Sequence, residues 1–255
     1  SVANKPKIGF LIGHGEPGLD QLRNTTGELN TLYEVDTLSL ARDSSAWSQF
    51  KTIVILAPQT PIPPQEIAQI DKFLASGGRL FVGLNAVQGN LTDNRQPWQP
   101  VQTGLDQWLI NKGVMVEQSF VLDVNAPSFN FQIPQYNAFF GQTVMSLKQV
   151  RVFFYPFVQT FSDHQIAQGL EQMLLPFASP ISISNTDTAL TVRTIATTSD
   201  QSGKQGPPIM FDINRRFTEA DFPLGTQTLA VSVEGKMGGE NDAKIVVIGD
   251  GDFAV

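Results

Sequence analysis

The residues that could do chemistry in this chain stand where apolar runs end. Gly13-His14-Gly15-Glu16-Pro17-Gly18 follows the run Ile8 to Ile12 and fits G-x-G-x-x-G, with Asp36 at the distance of a ribose-binding acid. That spacing is a dinucleotide fingerprint. Glu16, however, puts a negative charge where a pyrophosphate would lie, and Pro17 removes an N–H from its cradle. The glycines therefore read as the needs of a tight turn between a strand and a helix. His14 remains a candidate for binding or for donating a proton at a strand end. His164, beside Asp163, has no metal-ligand spacing to it. Asp250 and Asp252 in Gly249-Asp250-Gly251-Asp252-Phe253 could hold a hard cation, yet the rest of an EF-hand loop is missing, and a turn capped by Asp is the plainer reading. No G-x-S-x-G occurs, and without Cys there is no thiol nucleophile, thiolate zinc site or disulfide. No metal or cofactor is expected. Asn24-Thr25-Thr26 and Asn90-Leu91-Thr92 are formal glycosylation sequons, to which no role is assigned.

The elements that must position these residues alternate between strand and helix in the first half. Leu32 to Leu40 alternates like a half-buried strand. Thr52 to Ala57 (TIVILA) has the β-branched character of a strand buried on both faces, and ends at Pro58. Pro64 opens a helix with Ile67, Ile70, Phe73 and Leu74 on one stripe, and Gly77 and Gly78 end it as left-handed caps. Arg79 to Leu84 is the next strand. After a polar loop over 85–102, Thr103 to Asp106 fits a capping box, Leu105, Trp108 and Leu109 give helical spacing, and Val114 to Leu122 reads as one further strand. This rhythm predicts an α/β fold with a doubly wound, mostly parallel sheet over a core at 6–122.

Beyond 122 the pattern loosens. Residues 125–145 read as an excursion packed by its aromatics. A continuation over 150–255 adds strands at Val150 to Phe161, with a bend at Pro156, and at Ala189 to Thr197, Gln227 to Glu234 and Lys244 to Ile248. Residues 163–184 fit a helix by spacing but an extended chain by Pro176 and Pro180, and 199–208 reads as a loop. The whole is expected to be one domain.

Composition bounds the function. Of 255 residues, 41 % are apolar and only 16 % charged, so the chain folds around a core and presents Gln, Asn, Ser and Thr to solvent. A net charge of −7 with no Lys/Arg run gives nucleic acid nothing to bind. No apolar stretch approaches the roughly 20 residues of a membrane span. The abrupt start and stop suggest a piece of a longer protein, its targeting or anchor segments removed, and the missing thiols suit an oxidising periplasm.

Several strings together resemble one family. They are KIGFLIGHGE at Lys7 to Glu16, Pro58-Gln59-Thr60, and QEIAQIDKFLASGGRLFVGL at Gln65 to Leu84. Tyr155-Pro156, His164-Gln165-Ile166, Pro176 to Ser179, Leu229 to Lys236 and IVVIGDGDF at Ile245 to Phe253 complete the set. In this order they resemble the GldG-like family of ABC-type transport components, which includes the gliding-motility protein GldG of Bacteroidetes. A related domain occurs in an intraflagellar transport protein, where it serves assembly. The resemblance implies a flavodoxin-like or class I glutamine amidotransferase-like fold with additional C-terminal strands. It also implies a periplasmic domain anchored to the inner membrane by helices outside this chain, partnered with an ABC permease and ATPase. Gln165 stands where the family pattern expects Pro, and Gly251 where it expects Ser. On an amidotransferase-like fold the nucleophile elbow should follow the strand ending near Leu84, and Gly83-Leu84-Asn85-Ala86 offers neither Cys nor Ser.

The expectation is a non-catalytic domain that binds protein partners or a glycan-like ligand. A carbohydrate-active or amide hydrolase using Glu16, Asp250 and Asp252 is the alternative, and a true solute-binding protein a third. If the strands that precede them are parallel, His14, Glu16, Gln59, Thr60 and Asn85 must share one rim of the sheet, joined by Asp250 if the last strand is parallel too.

Overall fold

A computed structural model describes residues 5–39, 44–91, 97–137, 139, 141–184 and 189–255. Leu40, the expected end of the second strand, and Thr92, of the second sequon, lie outside them. Eight strands form the main sheet: β1 (Lys7–Ile12), β2 (Glu34–Ser39), β3 (Phe50–Leu56), β4 (Arg79–Gly83), β5 (Thr160–Phe161), β6 (Leu190–Thr197), β7 (Thr228–Lys236) and β8 (Asp242–Ile248). Their order is β5-β6-β7-β8-β4-β3-β1-β2. The run β2-β1-β3-β4-β8 is parallel throughout, while β7, β6 and β5 add antiparallel strands at the far edge. The first five follow the flavodoxin-like order, which reverses direction of growth between β1 and β3. β7 and β8 form a hairpin, and β8 is also parallel to β4, so the last strand does carry Asp250 to the common rim.

Helices cover the parallel half on both faces. α1 (Arg23–Leu29) lies on the side of Ile8, Phe10, Val54 and Leu56. α2 (Pro64–Ala75) and α3 (Leu105–Ile110) lie on the other, where Ile70, Phe73, Leu74, Leu105 and Leu109 meet Ile53, Ile55 and Val82. These strands bury alternate residues on both sides, which is why β3 reads as a continuous apolar run. α2 stops at Gly77, which has φ +88°. Gly78 is not a left-handed cap as expected; it is needed because a Cβ there would enter the Phe73 ring. The expected capping box at α3 is displaced by one residue. Gly104 is the N-cap, Thr103 Oγ1 accepts from Leu105 N–H at 3.3 Å, and Asp106 Oδ1 accepts from Gly104 N–H at 3.1 Å.

Three expectations fail beyond α3: the single strands over Val114 to Leu122 and Val150 to Phe161, and the loop over 199–208. The strand read over Val114 to Leu122 is broken at Gln118-Ser119, and neither half enters the main sheet. Val114–Val116 pairs with Ile181–Ile183, and Phe120–Asp123 pairs with Ser202–Gln205 in what was read as a loop. β8, far away in sequence, takes the place beside β4 instead. The excursion at 125–145 is a long antiparallel hairpin, Ser128–Asn137 with Gln142–Arg151. Its base packs through Phe129 and Phe131 on an aromatic cluster around Trp98, Phe120, Phe154 and Phe177, while Tyr136, Met145 and Leu147 near its tip are exposed. Val150 to Phe161 is not one strand either; it bends at Pro156 and contributes only β5 to the main sheet. Over 163–184 the prolines win. The chain is extended across β6, β7 and β8, with one 3-10 turn at Gln165–Ala167, so that half of the sheet face lacks a helical cover. No described helix is long and apolar enough to cross a membrane.

Candidate functional site

The loops after β1, β3, β4 and β8 converge at the carboxyl ends of the parallel strands, as the topology requires. At the point of strand-order reversal the loops after β1 and β3 are tied together. The His14 carbonyl accepts from Gln59 N–H at 2.7 Å and from Thr60 N–H at 3.0 Å. Above this junction the His14 imidazole is buried between two carboxylates. Nδ1 lies 3.4 Å from Glu16 Oε1, and Nε2 lies 3.2 Å from Glu66 Oε2. Glu16 Oε2 also accepts from the His14 backbone N–H at 2.7 Å, and the Glu16 side chain is 1 % exposed. Glu66 stands in the first turn of α2, where the helix dipole favours an acid.

A metal ion would need lone pairs converging on one point. Here the two acids flank opposite nitrogens of one ring, and among the described residues no group of three or more His, Asp or Glu can hold an ion. The arrangement is closed on itself inside the turn. It leaves little of His14 or Glu16 to a ligand.

The second half of the rim is built on Asn85. Its Nδ2 donates to Asp252 Oδ2 at 3.0 Å, and its Oδ1 accepts from Gly251 N–H at 2.6 Å, so one buried amide staples the loop after β4 to the loop after β8. Asp252 N–H in turn donates to Asp250 Oδ1 at 2.7 Å. A Cβ on Gly251 would stand 2.6 Å from the Ala57 nitrogen. The backbone approach therefore leaves no room for a side chain at 251.

Asp250 is fully buried and its Oδ2 has no hydrogen-bond partner. Burial pushes its carboxyl well above the usual range and the Asp252 charge adds to this, against the backbone N–H groups of Asp252 and Phe253. Asp252 is also raised by burial, opposed by its hydrogen bond from Asn85. The Tyr155 phenol beside them is pushed up to about 12, first by burial and then by Asp252 and Asp250.

Of the six rim candidates, then, the structure brings all to one edge but in two conditions. His14, Asn85 and Asp250 are buried and Glu16 nearly so; Gln59 and Thr60 face solvent, with Gln59 Nε2 donating to the Ala57 carbonyl at 2.9 Å. The strained turn is also not where an elbow was expected. Leu84 and Asn85 have ordinary backbone, whereas Ala57, at the end of β3, has φ +43°. Sequence reasoning missed Glu66 and Tyr155. Glu66 carried a signal, an acid two residues after a helix-opening Pro, but its partner is set by the fold; Tyr155 stood only in the Tyr155-Pro156 string of the family resemblance, with nothing to place it beside the acids.

A family model described as "ABC-type uncharacterized transport system" matches residues 5–255. No curated protein matches the chain. Among solved structures, the mmIFT52 N-terminal domain aligns with a TM-score of 0.63 at 14 % identity, over 97 % of this chain and 87 % of that one. A ThuA-like protein from Bacteroides uniformis aligns at 12 % identity with a TM-score of 0.45, over 98 % of this chain and 84 % of its own. A second, from Parabacteroides merdae, also has 12 % identity and a TM-score of 0.45, with 96 % and 79 % covered. The likeness to the mmIFT52 domain is one of fold.

Proposed function

The chain belongs to the ABC-type uncharacterized transport system family, and from that premise we propose that it is a non-catalytic, extracytoplasmic domain of such a system, working by contact with partners. The observation that carries the reading is the end of β3. An amidotransferase-like or hydrolase-like fold holds its nucleophile on a strained strand end so that the side chain projects over the sheet. The strained strand end here is Ala57, whose methyl group has no chemistry; of the nearby acids, Glu16 accepts from the His14 backbone N–H, Asp252 from Asn85 and Asp250 from the Asp252 N–H, and the unpartnered Asp250 Oδ2 is buried.

The permease and ATPase of the same system are the partners this reading assigns, with helices outside this chain as the anchor and the periplasm as the location. The absence of Cys fits that compartment. Gln59 and Thr60 are the part of the rim open to a partner or a glycan-like ligand.

The test is chemical cross-linking in membranes carrying the full-length protein, with an ammonia-release assay on the purified chain. Recovery of an ABC permease with no glutamine hydrolysis above the uncatalysed rate is the expected result. Clear ammonia release, or cross-links only to cytoplasmic proteins, overturns the reading.

A further inference from the structure

The face of the sheet shared with α1 is left uncovered over the amino-terminal halves of β4 and β8. A groove of about 570 Å³ lies there, between the sheet and the 3-10 turn at Gln165–Ala167. The register fixes its floor. Arg79 on β4 is the cross-strand partner of Lys244 on β8, which is the partner of Glu234 on β7. One row on, Phe81 pairs with Val246, Val246 with Ser232, and Ser232 with Arg193 on β6. Directly paired residues, and residues two apart on one strand, share a face, so both rows point into the groove.

The charges in these rows do not cancel. Lys244 Nζ reaches Glu234 Oε1 at 3.3 Å, which satisfies that pair. Arg79 sits directly across from Lys244, a like-charge neighbour of the kind that destabilises a sheet. Neither Arg79 nor Arg193 has an ion pair or hydrogen bond among the described residues. With the exposed Asp163, three cations face two carboxylates, leaving one positive charge in excess.

Above the floor, His164 Nδ1 accepts from Ile166 N–H at 3.2 Å, so the neutral ring carries its proton on Nε2. That nitrogen is 3.0 Å from Ser232 Oγ. The imidazole is thus a donor to Ser232 and not its base, which removes a Ser–His nucleophile from the groove. What it presents is recognition: two unpaired guanidinium forks, two carboxylates that accept from hydroxyl groups, and the half-buried Phe81 as an apolar platform.

We propose that this groove is a binding site for a saccharide bearing a single oxyanion group, held by Arg79 and Arg193. One excess positive charge matches one anionic group, and Glu234 and Asp163 would repel a polyanion while accepting from sugar hydroxyls. The volume is that of a small-ligand pocket. The site lies at the opposite end of the strands from the rim and does not depend on the transport-complex reading.

Isothermal titration of the 255-residue chain at low salt tests it, with galacturonate, glucose 6-phosphate, maltotriose and inorganic phosphate as probes. Binding of galacturonate or glucose 6-phosphate, with maltotriose and phosphate much weaker, is the expected result. Which of the two binds tells a uronic acid from a sugar phosphate. Arg79→Gln and Arg193→Gln should each weaken that binding about tenfold or more, the loss expected for a charged hydrogen bond, while Arg216→Gln, which removes the same charge outside the groove, should not. Thermal melts of each variant report whether it folds. Absence of binding by both acidic sugars, equal binding by the Arg79 and Arg193 variants, or phosphate binding as tightly as the sugars overturns the proposal.

Discussion

The rim and the groove are both polar, and they spend their polar groups in opposite ways. On the rim, buried side chains are consumed in joining loops: Asn85 bridges two loops with both ends of its amide, and His14 is held between Glu16 and Glu66. In the groove, Arg79 and Arg193 stand on rigid strands without a counter-charge, and Arg79 faces Lys244. A polar residue at the favoured edge of an α/β sheet can thus serve cohesion, while unsatisfied charge marks a surface shaped for something else. If this contrast is right, rim substitutions lower stability and groove substitutions do not.

The largest effect is expected from Asn85→Ala. It leaves the Gly251 N–H and the Asp252 carboxylate without their partner in a buried setting, a loss of about 2 kcal/mol or about 4–8 °C in melting temperature for a chain of this size. A melt within a degree of the parent would show that the amide is no staple.

Asp250→Asn tests the buried acid through pH. The folded-state pKa of Asp250 is raised, and that of Asp252 with it, so between the ordinary value near 3.8 and the folded value the native state holds protons that the unfolded chain has released. Stability therefore falls as pH rises through that window and is fullest below it. Asn at 250 keeps an acceptor for Asp252 N–H but cannot ionise, so its melting temperature should depend less on pH between pH 4 and 8. A parent and variant with the same pH slope would remove Asp250 as the cause.

Arg79→Gln should go the other way from the rim. Relieving the like-charge neighbour should raise stability by about 0.2–0.5 kcal/mol at low salt, with the gain vanishing as salt is added. A fall of several degrees would mean that Arg79 is structural and the contrast false.

The smallest effect belongs to Tyr155→Phe. With the phenol pushed up to about 12, ionisation is opposed by burial and by the two aspartates, so stability should decline from pH 10 upward in the parent and less in the variant. At neutral pH the two should melt together. An ultraviolet titration should lose its latest phase in the variant. A phenol titrating at its ordinary value would place Tyr155 outside the acid cluster.

The sequence by itself determined the parallel half of this protein. Apolar runs such as TIVILA, the Pro64 start of α2 and its Ile70, Phe73 and Leu74 stripe are local signals, because one strand or one helix face is written in consecutive residues. The common rim followed, since parallel strands must deliver their loops to one edge. Only the tertiary structure decided which distant strand lies beside β4. Val114 to Leu122 had the composition for that place, yet β8 occupies it, because pairing depends on how the whole chain fills both faces. The long hairpin escaped notice for a related reason: its outer part is stabilised by pairing to itself and buries too little to impose an alternating pattern. The fate of the polar residues was undetermined in the same way. Nothing near Asn85 in sequence names Gly251 and Asp252 as its partners, and nothing near Arg79 shows that Lys244 lies opposite. Hydrogen bonds and charge pairs form across space, so whether a side chain is satisfied is a property of the fold and not of its neighbours in the chain.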